Sequence, residues 1–76
     1  MTRNEVRALR LLADAEPRGV TEALMLAHGF PPDMLAGFVR NGLATATTER
    51  VTAAGHRIDV TQYRITKTGQ ALVDLM

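Results

Sequence analysis

The chain has 76 residues, of which 46% are hydrophobic, and nine Lys/Arg against eight Asp/Glu leave a net charge of +1. This length predicts one domain over residues 1–76 with a small core, and the apolar content excludes a disordered chain. The near-neutral charge provides no whole-molecule attraction to phosphate, and the absence of cysteine excludes disulfides and cysteine-ligated zinc. Charges interrupt the N-terminus and every apolar run, so we expect no signal peptide, no membrane span and a cytoplasmic location.

Three short helices are predicted in the first part of the chain, over about residues 2–15, 21–28 and 32–41. Their ends are marked by residues that favour caps and turns: Thr2 or Asn4, Pro17, Gly19, Thr21, Gly29, Pro32, Asp33, Asn41 and Gly42. Phe30 is expected to pack into the core after the turn at Gly29. Helical spacing assigns the other core side chains: Val6, Leu9, Leu12, Ala13, Leu24, Ala27, Leu35, Phe38 and Val39.

From residue 43 the hydrophobic period changes, and residues 43–53 predict a strand rich in Thr, Ala and Val. Residues 54–56 predict the tip of a hairpin, because Gly55 tolerates positive φ, and the return strand follows. Ile58 and Val60 share one face of that strand, whereas Tyr63 and Ile65 share the other. We therefore expect a bulge near residues 61–62.

Residues 62–72 join the return strand to a closing helix. Thr66 is the predicted N-cap, and the helix is expected to run from about Lys67 to Leu75. The side chains expected to face the core are Ala71, Leu72 and Leu75, and those expected to be more exposed are Val73 and Met76.

The order of these elements and two local motifs carry a family resemblance. Residues 20–43, a short helix, a turn at Gly29 and a helix ending at Asn41-Gly42-Leu43, resemble the helix-turn-helix of winged-helix transcription regulators. Residues 63–72, YRITKTGQAL, resemble the strand-to-helix junction of MarR-like and related bacterial regulators. The resemblance implies an α+β winged-helix fold, in which a three-helix bundle carries a two-stranded antiparallel wing hairpin and a C-terminal helix.

The same resemblance implies double-stranded DNA as a partner, with the third helix in the major groove and the wing on the backbone or minor groove. The groove-facing positions carried over from the family are Pro32, Asp33, Ala36, Gly37, Arg40 and Asn41. Only the last two of these offer side chains suited to base edges or phosphates. With the wing, the predicted DNA contacts are Arg40, Asn41, Arg50, His56 and Arg57.

Two hypotheses of function stay open. The first is a DNA-binding transcription regulator that acts as a homodimer, and the second is a winged-helix module that binds protein or itself without DNA. The charges of the hairpin do not decide between them, because Glu49 and Asp59 predict cross-strand ion pairs with the same arginines. The second hypothesis is favoured by apolar residues too numerous for so small a core: Leu11, Met25, Leu26, Met34, Val73 and Met76.

No motif of the chain predicts catalysis. His28 and His56 lie in different elements without metal-ligand spacing, and neither a Gly-rich phosphate loop nor a nucleophile elbow occurs. We therefore expect a protein that is not an enzyme and has no metal, no cofactor and no small-molecule substrate. The expected partners are double-stranded DNA and a second copy of the chain. We expect no association with a membrane.

Overall fold

A computed structural model describes all residues from 1 to 76. Its elements are, in chain order, α1 (Arg3–Asp14), β1 (Val20–Thr21), α2 (Glu22–Ala27), α3 (Pro32–Arg40), β2 (Ala44–Ala53), β3 (His56–Ile65) and α4 (Lys67–Asp74). The three strands form one antiparallel sheet in the order β1-β3-β2. The fold is therefore α+β, as predicted. None of the four helices combines the length and the hydropathy needed to span a lipid bilayer.

The sheet has three strands, whereas the sequence predicts two. Strand β1 pairs Val20 with Tyr63 and Thr21 with Gln62. Two residues are too few to show an alternating pattern, so β1 has no signal of its own in the sequence.

The predicted helix starts are confirmed, and those of α1 and α2 are each fixed by a local side-chain hydrogen bond. At α1, the Thr2 hydroxyl accepts from the Glu5 amide at 3.2 Å, and the Glu5 carboxylate accepts from the Thr2 amide at 3.0 Å. This reciprocal pair is a capping box. At α2, the Thr21 hydroxyl accepts from the Leu24 amide at 3.2 Å. Helix α3 begins with Pro32 at its first position, where a missing amide costs no hydrogen bond.

Helices α2 and α3 end in the same way. Gly29 and Gly42 follow the two helices with φ values of 87° and 72°. The next amides, those of Phe30 and Leu43, donate to the carbonyls five residues back at 3.1 and 2.8 Å. Both ends are therefore Schellman motifs, which satisfy the last carbonyls and turn the chain back onto the helix.

One core lies between the helices and the inner part of the sheet. Its buried side chains are Ala8, Leu9, Leu12, Val20, Met25, Phe30, Leu35, Phe38, Ala44, Tyr63 and Ile65. Most of the large residues predicted for α1 and α3, and Phe30, are among them. Val6 and Ala13 are only half-buried, so the packing stripe of α1 runs through Ala8 instead of Ala13.

The predicted inner faces of α2 and α3 are partly wrong. Leu24 is 48% exposed and Ala27 is exposed, whereas Met25 is fully buried. Helix α2 has only six residues, so the Schellman turn that places Phe30 under its end decides which face packs. Val39, predicted to be buried, is 38% exposed near the end of α3.

The packing face of α4 also differs from the prediction. Leu75 is 85% exposed and Ala71 is exposed, whereas Leu72 and Val73 are half-buried. The buried residue of the helix is Gly69, because it permits the closest approach to the neighbouring backbone. The face is centred on the smallest residue and not on the largest.

The hairpin has no bulge, contrary to the prediction. Its register runs without interruption from Ala44 opposite Ile65 to Ala53 opposite His56. The apolar residues of β3 switch from one face of the strand to the other because its inner end packs on the core, whereas its outer end lies in solvent. The turn has two residues at positive φ, Ala54 and Gly55, so His56 belongs to β3 and not to the tip.

The outer part of the hairpin projects from the core. The molecule measures 45 × 22 × 21 Å along its principal axes. A ten-residue strand is about 30 Å long, and in β2 only Ala44, its first residue, is buried. The remainder of β2 lies in solvent.

Candidate functional site

The base of the hairpin is held by Thr66, at the junction of β3 and α4. Its hydroxyl donates to the Gly42 carbonyl at 2.6 Å and accepts from the Gly69 amide at 3.0 Å, which confirms the predicted N-cap. Its amide donates to the Leu43 carbonyl at 3.0 Å. A Cβ atom at Gly69 would overlap that same carbonyl oxygen. The end of α3 and the start of β2 are thereby fixed against α4.

Two side chains of β3 hold the loop between α1 and β1. The Gln62 amide nitrogen donates to the Arg18 carbonyl at 2.6 Å, and the Arg64 guanidinium donates to Glu16 at 2.8 Å. The hydrogen bond and charge of Glu16 raise the pKa of Arg64 above its ordinary value. Arg64 is therefore committed to its own chain. The sequence does not reveal this pair, because its members are 48 residues apart.

The start of α2 is tied to the sheet by Tyr63. Its hydroxyl donates to a Glu22 carboxylate oxygen at 3.0 Å, and the residue is 7% exposed. Burial, followed by the hydrogen bond and charge of Glu22, raises the pKa of Tyr63 above its ordinary value. These contacts orient α2, and through the Gly29 turn they also orient α3.

Arg40 and Asn41 lie exposed at the C-terminal end of α3, as the predicted DNA contacts require. They line an open groove of about 490 Å³ between the start of α1 and α3, the α1–α3 groove. Glu5 and Asp33 line the same groove, so its charge is mixed. Hydrogen bonds from the backbone and then the side chain of Thr2 lower the pKa of Glu5 and favour its charged form.

The remaining predicted contacts lie in the outer part of the hairpin. Arg50 donates to Asp59 at 3.3 Å across the two strands, so the predicted cross-strand ion pair is present. The side chains of this pair are 65% and 63% exposed. The only other ion pair of the structure joins Glu16 and Arg64. Arg57, beside the exposed His56, therefore has no charged partner.

The five predicted contacts form two groups and not one site. Arg40 and Asn41 lie a few residues before Ala44, at the base of the hairpin. Arg50, His56 and Arg57 lie in the outer part of the hairpin, whose far end the nine residue steps of β2 place about 30 Å away.

Neither histidine has the surroundings of a metal ligand. His28 caps α2 and stacks on Phe30, with 6.2 Å between the ring centroids. No three His, Asp or Glu side chains lie close enough together to hold a metal ion.

An apolar surface lies beside the outer part of β3. Leu26 of α2 and Ile58 of β3 are 42% and 47% exposed, and they line one cleft of about 290 Å³ with Ala23 and Val60. We call it the α2–β3 cleft. Of the six residues predicted not to fit together in so small a core, Met25 is the one that is buried. Leu26 and Met76 are exposed, and Leu11, Met34 and Val73 are half-buried.

Comparisons with known proteins identify no relative of this chain. No protein-family model matches the chain, and no curated protein or solved structure matches it either. A function for α3 and the hairpin is therefore argued from their own residues.

Proposed function

We propose that the chain is a winged-helix domain that binds double-stranded DNA through α3 and the β2–β3 hairpin. The observation that carries the proposal is the topology. A helix and a short strand precede two helices and a hairpin, and the short strand pairs with β3 in the sheet order β1-β3-β2. This arrangement is compatible with a winged helix, in which α2 and α3 would form the helix-turn-helix and β2–β3 would form the wing. A helix-turn-helix places its second helix in the major groove.

The distance between the two groups of candidate contacts fits one duplex. The end of α3 and the tip of the hairpin are separated by about 30 Å along β2. One turn of DNA measures about 34 Å, so a single duplex is long enough to meet both groups. We propose the roles accordingly, with Arg40 and Asn41 at the major groove and with Arg50, His56 and Arg57 along the backbone or minor groove.

The charges predict binding of limited strength and low sequence specificity. Arg40 and Arg57 have no ion-pair partner, whereas Arg50 is shared with Asp59, and Asp33 near the start of α3 repels phosphate. Two to four phosphate contacts imply a slope of about −2 to −4 in log K against log salt. We propose no catalytic step and no cofactor for this site.

A titration of the full chain with a random-sequence duplex, followed by amide chemical shifts, tests the proposal. We expect shifts at the end of α3 and at the hairpin tip in low salt that diminish in moderate salt. Arg40→Ala should weaken binding and reduce the salt slope by about one, because one phosphate contact is lost. The control Arg10→Ala removes the same charge from the exposed face of α1.

Two results would overturn DNA binding at these residues. One is the absence of amide shifts in α3 and the hairpin at low salt. The other is an equal loss of affinity in Arg40→Ala and Arg10→Ala, which would show that only the overall charge matters.

A second function, a protein-interaction module without DNA binding, is favoured by the α2–β3 cleft. Leu26 and Ile58 are large apolar residues that meet in one exposed cleft. Exposed apolar surface of this kind marks sites of association. A winged-helix domain could have either function, and the DNA titration distinguishes the two.

A further inference from the structure

The outer edge of β3 lacks a neighbouring strand over most of its length. Strand β2 lies along one edge, and β1 covers the other edge only at Gln62 and Tyr63. The segment from His56 to Thr61 therefore has an unpaired edge, which we call the open edge. Unpaired strand edges are templates for pairing with another chain.

The backbone groups at the open edge can be assigned from the turn. A two-residue hairpin turn is closed by a hydrogen-bonded pair, here Ala53 and His56, and hydrogen-bonded pairs then recur at every second residue. Between these pairs lie Arg57, Asp59 and Thr61, whose backbone N–H and C=O groups point away from β2. The open edge thus offers donors and acceptors at three residues, two of which carry opposite charges.

We propose that two copies of the chain pair antiparallel through their open edges, with Ile58 at the two-fold axis. In a symmetric antiparallel pair, one residue lies opposite itself and its neighbours lie opposite each other. With Ile58 at the axis, Arg57 of each copy faces Asp59 of the other. An axis at Arg57 or at Asp59 would place like charges opposite each other, which is destabilising. Among these three registers, the charge pattern therefore selects the one centred on Ile58.

The hydrogen-bonding pattern agrees with this register. Arg57 and Asp59 carry the outward backbone groups, so their two cross-copy pairs are the hydrogen-bonded ones. Ile58 then meets Ile58 of the second copy in a non-hydrogen-bonded pair, in which side chains approach most closely. Its side chain, 47% exposed in the single chain, would be covered there.

The paired copies would also extend an existing ion pair. Asp59 already accepts from Arg50 on β2. Arg57 of the second copy would approach Asp59 from the other side, so each carboxylate would lie between two guanidinium groups. Rows of alternating charge on neighbouring strands are stabilising.

The α2–β3 cleft lies beside the open edge, and its Leu26 and Val60 provide apolar surface for the second copy. The contact area is small, so we expect a weak dimer with a concentration-dependent mass. The interface uses Arg57, one of the proposed wing contacts, but neither Arg40 nor Asn41. Dimerisation and the contribution of α3 to DNA binding can therefore fail independently.

Sedimentation equilibrium of the full chain over a range of concentrations tests the dimer. We expect Arg57→Asp alone and Asp59→Arg alone to weaken dimerisation by about tenfold or more, because each creates two like-charge pairs. A mixture of the two variants should form a heterodimer. In that heterodimer, one copy carries carboxylates at positions 57 and 59 and the other carries guanidinium groups there, so both facing pairs have opposite charges.

The control is Arg10→Asp, an equal charge change on α1, which should leave the dimer intact. In the wild-type chain, hydrogen exchange at the Arg57 and Asp59 amides should slow as the concentration rises, independently of any variant. A wild-type chain that stays monomeric, a dimer of undiminished affinity in each single-substitution variant, or a mixture of the two variants without heterodimer would each overturn the proposal.

Discussion

The inner and outer halves of the β2–β3 hairpin share one uninterrupted register but differ in what their side chains contact. In the inner half, side chains of β3 and its junction bond to other elements: Gln62 to Arg18, Tyr63 to Glu22, Arg64 to Glu16 and Thr66 to Gly42. In the outer half they bond only across the hairpin: Arg50 to Asp59 and Thr48 to Thr61. The inner half is committed to its own fold, and the outer half is available to a partner.

The difference follows from distance to the core and not from residue type. Thr and Arg occur in both halves. Near the core a polar group that loses its partner carries a desolvation cost of about 1–3 kcal/mol. Far from the core water replaces the lost partner, so an exposed ion pair contributes about 0–1 kcal/mol. Substitutions of Gly69, Thr66 and Tyr63, the last combined with a change of pH, would break or sharpen this contrast.

Gly69→Ala should have the largest effect, because a Cβ atom there overlaps the Leu43 carbonyl oxygen and crowds the Ile65 side chain. Backbone at the junction would have to move, and we expect a loss of about 3 kcal/mol in the free energy of unfolding. Urea unfolding of the purified variant measures it.

The matched control is Gly37→Ala, also within a helix. The nearest atom to a Cβ at Gly37 is the end of the Arg40 side chain at 3.8 Å. This variant should gain about 0.5–1 kcal/mol from helix propensity. Equal effects of the two substitutions would contradict the packing described for α4.

Thr66→Ala should have an intermediate effect. It removes the N-cap of α4 and the hydrogen bond to the Gly42 carbonyl, which together contribute about 2 kcal/mol. Thr66→Ser should retain most of the stability. Thr48→Ala removes a hydroxyl hydrogen-bonded at 3.1 Å in the outer half and should change stability by less than about 0.5 kcal/mol. Similar losses for Thr66→Ala and Thr48→Ala in thermal or urea unfolding would remove the distinction between the halves.

The smallest effect concerns pH. Burial and Glu22 raise the pKa of Tyr63 in the folded chain above the value of 10.0 of an ordinary tyrosine. The folded state therefore holds the phenolic proton more tightly than the unfolded state. The resulting stability is fully present below pH 10 and is lost as the pH rises through the folded pKa.

Tyr63→Phe should show a smaller loss of stability above pH 10 than the wild-type chain. Because Tyr63 is the single tyrosine, phenolate absorbance of the folded protein reports its pKa directly. Glu22→Gln should lower that pKa toward the ordinary value. A wild-type phenol that titrates at the ordinary value would contradict the Tyr63–Glu22 contact.

The parts of the fold that local chemistry controls could be predicted. Thr2, Thr21 and Thr66 cap helices through amides three residues away, and Gly29 and Gly42 end helices by their own backbone freedom. Such signals are complete within a few residues of sequence. The inner faces of α2 and α4 could not be predicted, since they depend on which neighbour packs against a helix of only two turns.

The exposure of the candidate contacts could be predicted from the sequence but their arrangement could not, and their role in DNA binding stays a prediction. Arg40, Asn41, His56 and Arg57 are exposed, as DNA contacts must be. Their separation into two groups follows from the length of the hairpin. The burial of Met25 and the pairing of Arg64 with Glu16 involve contacts between distant segments, so the composition of each segment carries no sign of them.

The sequence by itself determined approximately where the four helices and the two hairpin strands begin and end, because caps, turns and periodicity act over three to five residues. Only the tertiary structure decided that β1 joins the sheet, that Gly69 and not Leu75 faces the neighbouring backbone, and that β3 has an open edge. These outcomes depend on contacts across 20 to 50 residues of chain. They are selected by the shape of the whole core, and a local pattern does not encode that shape.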